Sequence, residues 1–504
     1  MKIEVKNFGK IKKGQIDLDK KVTVFVGYNN TGKTYMSQLM WGLYSEQDYS
    51  YLGEIECIDE NMLINNSFTI TSEIISKYLI TFNKKIITVF LPDLFNTQPD
   101  YFSRNNFTIR VTDLLDIIKS TPFEYWYPYE GDREDLVIYS KLIIKKAADS
   151  LDVISTIENF KEPVYYRKST KNDIKNLGGI QLGDGWPIAE NPDFVYIDEA
   201  ISTHFARTII PYFGTNNSSH LKVFFLPAKR IFFPSYYKYI YSVSKDEIEL
   251  IDRRLRNNGD FDSIKGLAKT PYTKPVNALI KAVYNLNLDR NENDFYQDLL
   301  SELKEIIGGT IIIKSAAGIA PIEFYLKLDS GEELDMYMAS SSANQLATLY
   351  LYFQYWAQKD NNFLIIDEPE ENLHPKNQIK LVNILMKFAD RNNKVLITTH
   401  SPLIADLINN YANLSYLKEA GTDVGKLIAE NEFEMYPVQN ILHKDYGIYF
   451  FNGDSIKEYD VNEYGAYFKD FQVAEDKVKD MSDVLKDGVY KNINENARKS
   501  LQKK

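Results

Sequence analysis

Along this chain, alternating patterns give way at intervals to short unbroken apolar runs, and those runs organise the rest. Lys2-Ile3-Glu4-Val5-Lys6 alternates as a half-buried strand does and is followed by a turn at Asn7-Phe8-Gly9. Val22 to Val26 is apolar and β-branched, which predicts a buried strand, and Tyr35 to Tyr44 carries Met36, Leu39, Met40 and Leu43 at helical spacing. Leu221 to Pro227, Phe363 to Ile366 and Lys394 to Thr399 predict three more buried strands, with a helix from Asn377 to Phe388 between the last two. Thr310 to Lys314, Ile322 to Leu328 and Leu334 to Met338 read as short strands leading into Ser340-Ser341-Ser342-Ala343-Asn344-Gln345 and a long apolar helix through Trp356. Asp246 to Gly308 reads as two or three helices broken at Thr270-Pro271 and Lys274-Pro275, because the residue before a proline is pushed out of the helical region. Asp135 to Phe160 has an apolar periodicity that predicts a helix, Lys85 to Pro92 is a run of strand length, and Gly178-Gly179 to Pro187 reads as a loop.

At 504 residues, 44% hydrophobic and 26% charged, the chain can build two or more sizeable cores and is too balanced for disorder. It has no run of about eighteen uncharged apolar residues and no secretory h-region at its start, so a cytoplasmic protein without a membrane partner is expected. Cys57 is the single cysteine and cannot close an internal disulfide; a buried packing role is the plain reading. The net charge of −11 argues against coating nucleic acid by charge alone. Local basic clusters stand at Lys145-Lys146, Lys168 to Lys175, Arg253-Arg254 with Arg256, and Arg498 to Lys504, where solvated faces are the ordinary reading.

Chemistry enters where apolar strands end. Gly27-Tyr28-Asn29-Asn30-Thr31-Gly32-Lys33-Thr34 is a G-x-x-x-x-G-K-T phosphate loop between the predicted strand and helix. In such a loop the backbone N–H groups of Asn29, Asn30, Thr31 and Gly32 turn around nucleotide phosphates, Lys33 neutralises charge, and Thr34 ligates Mg²⁺. Far downstream, Phe363 to Ile366 drops into Asp367-Glu368-Pro369, offering Asp367 to the metal and Glu368 to an attacking water. Together they predict an ATPase using ATP and Mg²⁺. His400 ends the strand beside this one and can hydrogen-bond a γ-phosphate or the water, whereas His204, His220 and His443 read as packed histidines. The Ser340 to Gln345 segment offers hydroxyls and helix-start N–H groups to a second phosphate, or is a helix N-cap.

These segments, taken in order with the D-loop-like Glu370-Glu371-Asn372-Leu373-His374-Pro375, resemble the ABC-type ATPase head of SMC proteins, RecF and the OLD-family nucleases. Asn7-Phe8-Gly9 with Val24 to Thr34 is especially similar to the ABC-like AAA-type ATPases of bacterial anti-phage systems, and Leu226-Pro227-Ala228-Lys229-Arg230 resembles their Pro-Ala-x-Arg element. The resemblance implies an α/β fold: a P-loop head with a mixed β-sheet, flanking helices and a large, mainly helical insertion. Its implied division is 1–48 for the first part of the head, 49–220 for the insertion, mixed α/β, 221–240 for a head strand and the Pro-Ala-x-Arg element, 241–309 for a helical arm, 310–410 for the second part, and 411–504 for a C-terminal region.

The same resemblance implies roles. Lys33 and the backbone of Asn30 to Thr34 hold phosphates, Thr34 and Asp367 hold Mg²⁺, Glu368 is the general base or water positioner, and His400 senses the γ-phosphate. Ser342 and Gln345 match the serine and glutamine of a trans signature, with Ala343 and Asn344 in place of its glycines, so ATP would hold two copies of the chain head to head. Arg230 is expected beside the nucleotide or in a structural salt bridge. Asp454, Asp460 and Glu463 lack a Toprim layout and long heptads are absent, so neither a nuclease nor a chromosome-scale coiled coil is expected. The implied function is an ATPase sensor or scaffold that controls a separate effector protein, a nuclease or toxin, as in PARIS- or Septu-like systems. A RecF/SMC-like ATPase that binds DNA is the alternative, with a transporter ATPase subunit third.

Overall fold

A computed structural model of the chain describes residues 2–45, 67–102, 118–120, 122–132, 137–165, 221–230, 272–284, 286, 294–314, 323–459, 477, 479–486, 489 and 491. Strands β1 (Lys2–Phe8) and β2 (Ile11–Asp17) form an antiparallel hairpin whose turn uses left-handed backbone at Asn7 and Gly9. Ile3 and Val5 point inward from β1, as its alternation requires, and Phe8 is buried where left-handed Asn7 breaks that alternation. Strand β3 (Val22–Gly27) follows, then the phosphate loop and helix α1 (Lys33–Ser45).

Between α1 and Leu221 the described residues, expected to belong to an insertion, mix strands and helices. They contain β4 (Ser67–Thr69), α2 (Ser72–Lys85), a π-turn at Ile86–Phe90, α3 (Leu91–Phe95), β5 (Phe123–Asp132), β6 (Val137–Lys146) and β7 (Asp152–Tyr165). The four strands make an antiparallel sheet in the order β4-β7-β6-β5. The helix expected from Asp135 to Phe160 is therefore corrected to the β6–β7 hairpin. Val137, Ile138, Ile143, Ile144, Val153, Ile154 and Ile157 are β-branched and favour extended backbone, and Asp149 (φ 59°) makes the turn between them. Lys85 to Pro92, of strand length, is instead helical throughout. The loop expected at Gly178 to Pro187, Cys57, His204, His220, Lys168 to Lys175, Arg253 to Arg256, Asp460, Glu463 and Arg498 to Lys504 lie outside the described residues.

The remaining elements are β8 (Lys222–Leu226), α4 (Lys274–Tyr284), α5 (Gln297–Ile307), β9 (Gly309–Lys314), β10 (Glu323–Leu328), β11 (Glu333–Asp335), α6 (Ser341–Leu351), β12 (Asn362–Asp367), α7 (Pro375–Ala389), β13 (Lys394–Thr399), α8 (Pro402–Glu419), α9 (Val424–Glu430), β14 (Tyr446–Phe451) and β15 (Ile456–Tyr459). A six-stranded sheet in the order β15-β14-β3-β13-β12-β8 forms the centre; β14, β3, β13, β12 and β8 are parallel and β15 is antiparallel at the edge. All six residues of β3, β12, β13 and β14 are buried, which is the pattern of parallel strands covered on both faces.

The two faces feed two cores. Val22, Val24, Val26, Leu364, Ile366, Val395 and Ile397 pack with α5 to α8, while Phe25, Phe225, Phe363, Ile365 and Leu396 pack with α1, α2 and the β1–β2 hairpin. The sheet also runs past residue 410, where the sequence reading ended the head. Strand β14 pairs with β3 from Tyr446↔Val22 to Phe451↔Gly27. Lys145 and Lys146 do not form a basic face: Lys145 pairs with Glu124 at 3.2 Å, and buried Lys146 donates to the carbonyls of Lys119, Ala147 and Ser150.

Candidate functional site

Parallel strands β3, β12 and β13 end side by side, and the turns after them supply the polar groups. Gly27 closes β3 with φ 147°, and a Cβ there would lie 2.2 Å from the Phe451 carbonyl oxygen, so only glycine fits beside β14. In the loop, Tyr28, Asn29 and Asn30 are exposed, Asn30 (φ 61°) and Gly32 (φ 99°) take left-handed backbone, and the Thr31 hydroxyl donates to the Tyr28 carbonyl at 2.8 Å. Lys33 is buried across the loop, donating from Nζ to the carbonyls of Gly27 (3.0 Å) and Tyr28 (2.8 Å) and standing 3.4 Å from His400 Nδ1. Burial draws its pKa down to about 8, against the opposing pull of Glu368, Asp367 and Glu370.

Asp367 is fully buried. Its Oδ1 accepts from Ser37 Oγ at 2.8 Å and Thr398 Oγ1 at 3.0 Å, while Oδ2 has no hydrogen-bond partner. Burial pushes its carboxyl up to about 6, opposed by the Ser37, Thr398 and Thr34 hydroxyls and reinforced by Glu368. A sealed carboxylate oxygen without a donor, beside an exposed Thr34, is what a divalent cation would satisfy. Among the described residues no cluster of three or more His, Cys, Asp or Glu could hold a metal ion.

Glu368 carries φ 46°, rare for a residue with a side chain, and its N–H donates to the Thr398 carbonyl at 2.9 Å. That backbone aims its carboxylate at His400: Oε1 lies 3.0 Å from Nε2. The imidazole contact first, and then the charges of His400, Lys33 and Arg230, hold the Glu368 carboxyl below its ordinary range in spite of partial burial. Lys33, Asp367, Glu368 and His400 thus meet from three distant segments.

Arg230, expected beside the nucleotide or in a salt bridge, and Gln345, expected in the trans signature, both lie buried against backbone at the site. Arg230 is fully buried, with Nε donating to the Gln345 carbonyl (3.0 Å) and Nη1 to the carbonyls of Pro227 (3.1 Å) and Asp367 (2.7 Å). Burial draws its pKa down to about 10 although Asp367, Glu370, Glu371 and Glu368 all favour its charge. Gln345 is sealed in α6, its Nε2 donating to the Ala228 carbonyl (3.1 Å) and Glu371 Oε2 (3.4 Å). The donors of Arg230 and Gln345 go to backbone carbonyls and, for Gln345, also to Glu371, so both brace the site. Ser342 is half-buried in the first turn of α6, its Oγ 2.9 Å from Ser340 Oγ, and Ser340 caps the helix by accepting from the Ala343 N–H.

Sequence reasoning missed Ser37 and Thr398. Ser37 stands four residues after Lys33 on α1, and Thr398 pairs directly with Asp367 across β12 and β13. Helical spacing and strand register would have found both.

The family model described as "AAA ATPase domain" matches residues 1–182 and 200–405, and the chain belongs to that family. It is an ATPase. Solved structures similar to it include the SMC head domain from Thermotoga maritima, at 10% identity and TM-score 0.28, covering 91% of this chain and 98% of that one. The SmcHead bound to the C-winged helix domain of ScpA is 11% identical with a TM-score of 0.31, covering 92% and 98%. The Smc head domain with an extended coiled coil, bound to the C-terminal domain of ScpA derived from Pyrococcus furiosus, is 10% identical with a TM-score of 0.26, covering 81% and 90%. At these scores the likenesses carry no argument about function. No curated protein matches the chain. Among the described residues no helix is long and apolar enough to cross a membrane.

Proposed function

We propose that this ATPase is a nucleotide-driven switch, the sensor or scaffold subunit of a bacterial anti-phage system, and that it controls a separate effector protein. The observation that supports a hydrolytic switch is the contact of His400 Nε2 with Glu368 at 3.0 Å while His400 Nδ1 faces Lys33 at 3.4 Å. In this reading one imidazole contacts both the group that handles water and the group that holds phosphate.

In this reading the backbone of Asn29 to Gly32 cradles the phosphates and Lys33 exchanges its two carbonyl partners for phosphate oxygens. Thr34 and Asp367 hold magnesium, which when bound offsets charge on the phosphate oxygens. Glu368 takes or orients the proton of the attacking water, and His400 reports the state of the terminal phosphate. Ser342, half-buried at the start of α6, faces the nucleotide of a second copy, so two copies join while ATP lasts.

The defence role rests on the motif resemblance and on a complete ATPase constellation without legible effector chemistry. The test is co-purification of the untagged chain from its native operon, in parental form and as Glu368→Gln. A nuclease or toxin retained by one form and released by the other supports the switch. DNA as the only companion, with DNA-stimulated hydrolysis falling steeply with salt, selects the RecF/SMC-like alternative.

A further inference from the structure

After Glu368 the chain turns through buried Pro369 and sends the Glu370 side chain back across the ends of β12 and β13. Its Oε1 accepts three hydrogen bonds: from Thr399 Oγ1 at 2.6 Å, from the His400 N–H at 2.8 Å and from the Ser401 N–H at 3.2 Å. Thr399 Oγ1 in turn accepts from the Ser401 N–H at 2.9 Å, so both residues flanking His400 are tied into the same group. Oε2 of Glu370 is sealed from solvent without a partner. A carboxylate with one oxygen crowded by three donors and the other left bare is poorly satisfied for a simple structural cap.

We infer that Glu370 is the positioning residue for His400: it fixes the backbone at residues 399–401 so that the imidazole bridges Glu368 and Lys33. Ser401 is the N-cap of α8, accepting from the Ile404 N–H at 3.4 Å, so without Glu370 the histidine would hang between a strand end and a helix start. Glu370 also opens the exposed turn Glu371, Asn372 and His374, with Asn372 at φ 63°. Whatever shifts that turn therefore shifts the anchor of His400. The inference rests on Glu368 and His400 acting in hydrolysis.

The experiment is a double-mutant cycle on the full chain, with ATP turnover measured for Glu370→Ala, Glu370→Gln, His400→Ala and the two combinations. Glu370→Ala is expected to lower kcat about a hundredfold with KM for ATP held within about threefold, as for loss of alignment rather than of binding. Glu370→Gln keeps an acceptor at Oε1 and is expected to lose about tenfold; it carries the cycle if the alanine variant does not fold. In the His400→Ala background both losses should shrink to within about twofold. Equal losses in both backgrounds overturn the role of Glu370 and leave the Glu368–His400 pair standing. Parental turnover in His400→Ala alone defeats the pair and this inference with it.

Discussion

Arg230 donates from Nη1 to the carbonyl oxygen of Asp367 at 2.7 Å and from Nη2 toward that of Glu368 at 3.5 Å, so a buried cation grips the backbone beneath both acids. Its Nε holds the carbonyl of Gln345 on α6. One guanidinium therefore ties the start of α6 to the end of β12, and no lysine could reach those carbonyls with the same fork.

Arg230→Met should lower stability by roughly 3 kcal/mol, because several buried carbonyls and the charges of Asp367 and Glu370 lose their partner. Urea denaturation with an unchanged m-value would measure it. A loss below about 1 kcal/mol would show that the guanidinium is dispensable to the core.

Asp367 makes stability depend on pH in a stated direction. Its carboxyl is raised to about 6 from an ordinary value near 4, so the folded state holds a proton that the unfolded state releases. Stability is then fully present below about pH 4 for this group and falls as pH rises to about 6, by an amount on the order of 2–3 kcal/mol. Asp367→Asn should flatten that slope, raise the thermal midpoint at pH 7 without magnesium or nucleotide, and abolish hydrolysis. An unchanged slope in the variant would assign the pH dependence to other groups.

Glu368→Gln should bind ATP and hydrolyse it about 10²- to 10⁴-fold more slowly, the usual worth of a general base. Size-exclusion chromatography should then show an ATP-held dimer that the parental protein forms only in passing. A monomer under saturating ATP would count against nucleotide as the adhesive.

Gly27→Ala tests the join between β3 and β14. The added Cβ meets the Phe451 carbonyl oxygen at 2.2 Å and carries φ 147°, so the strands must part or the loop must move. Roughly 3 kcal/mol of lost stability is expected, together with weaker nucleotide binding. Isothermal titration would read the second effect.

Much of the site was legible because its residues stand where buried apolar runs stop. Lys33 and Thr34 come after β3, Asp367 ends β12 with Glu368 next, and His400 follows β13, so motif and strand end coincide. Ser37 and Thr398 carry no signature as residue types, and only helical spacing and register reveal them. Arg230 was visible but its task was not, since a sequence does not say whether a guanidinium meets phosphate or backbone. The β6–β7 hairpin was misread because its apolar positions fit a helical period as well as an alternating one, and the turn that decides between them hangs on Asp149. Strand β14, Tyr-Gly-Ile-Tyr-Phe-Phe, went unplaced because its partner stands near the opposite end of the chain.

The position of β3 bears on how the protein is made. Its two neighbours, Lys394–Thr399 and Tyr446–Phe451, stand far downstream along the chain and are made long after it. At about 5–20 residues per second this apolar ribbon waits on the order of tens of seconds with both edges bare, a span in which wrong pairing competes with right. Shielding β3 over that interval should therefore matter for newly made chains rather than mature ones, and withdrawing chaperone help should send the former into aggregates.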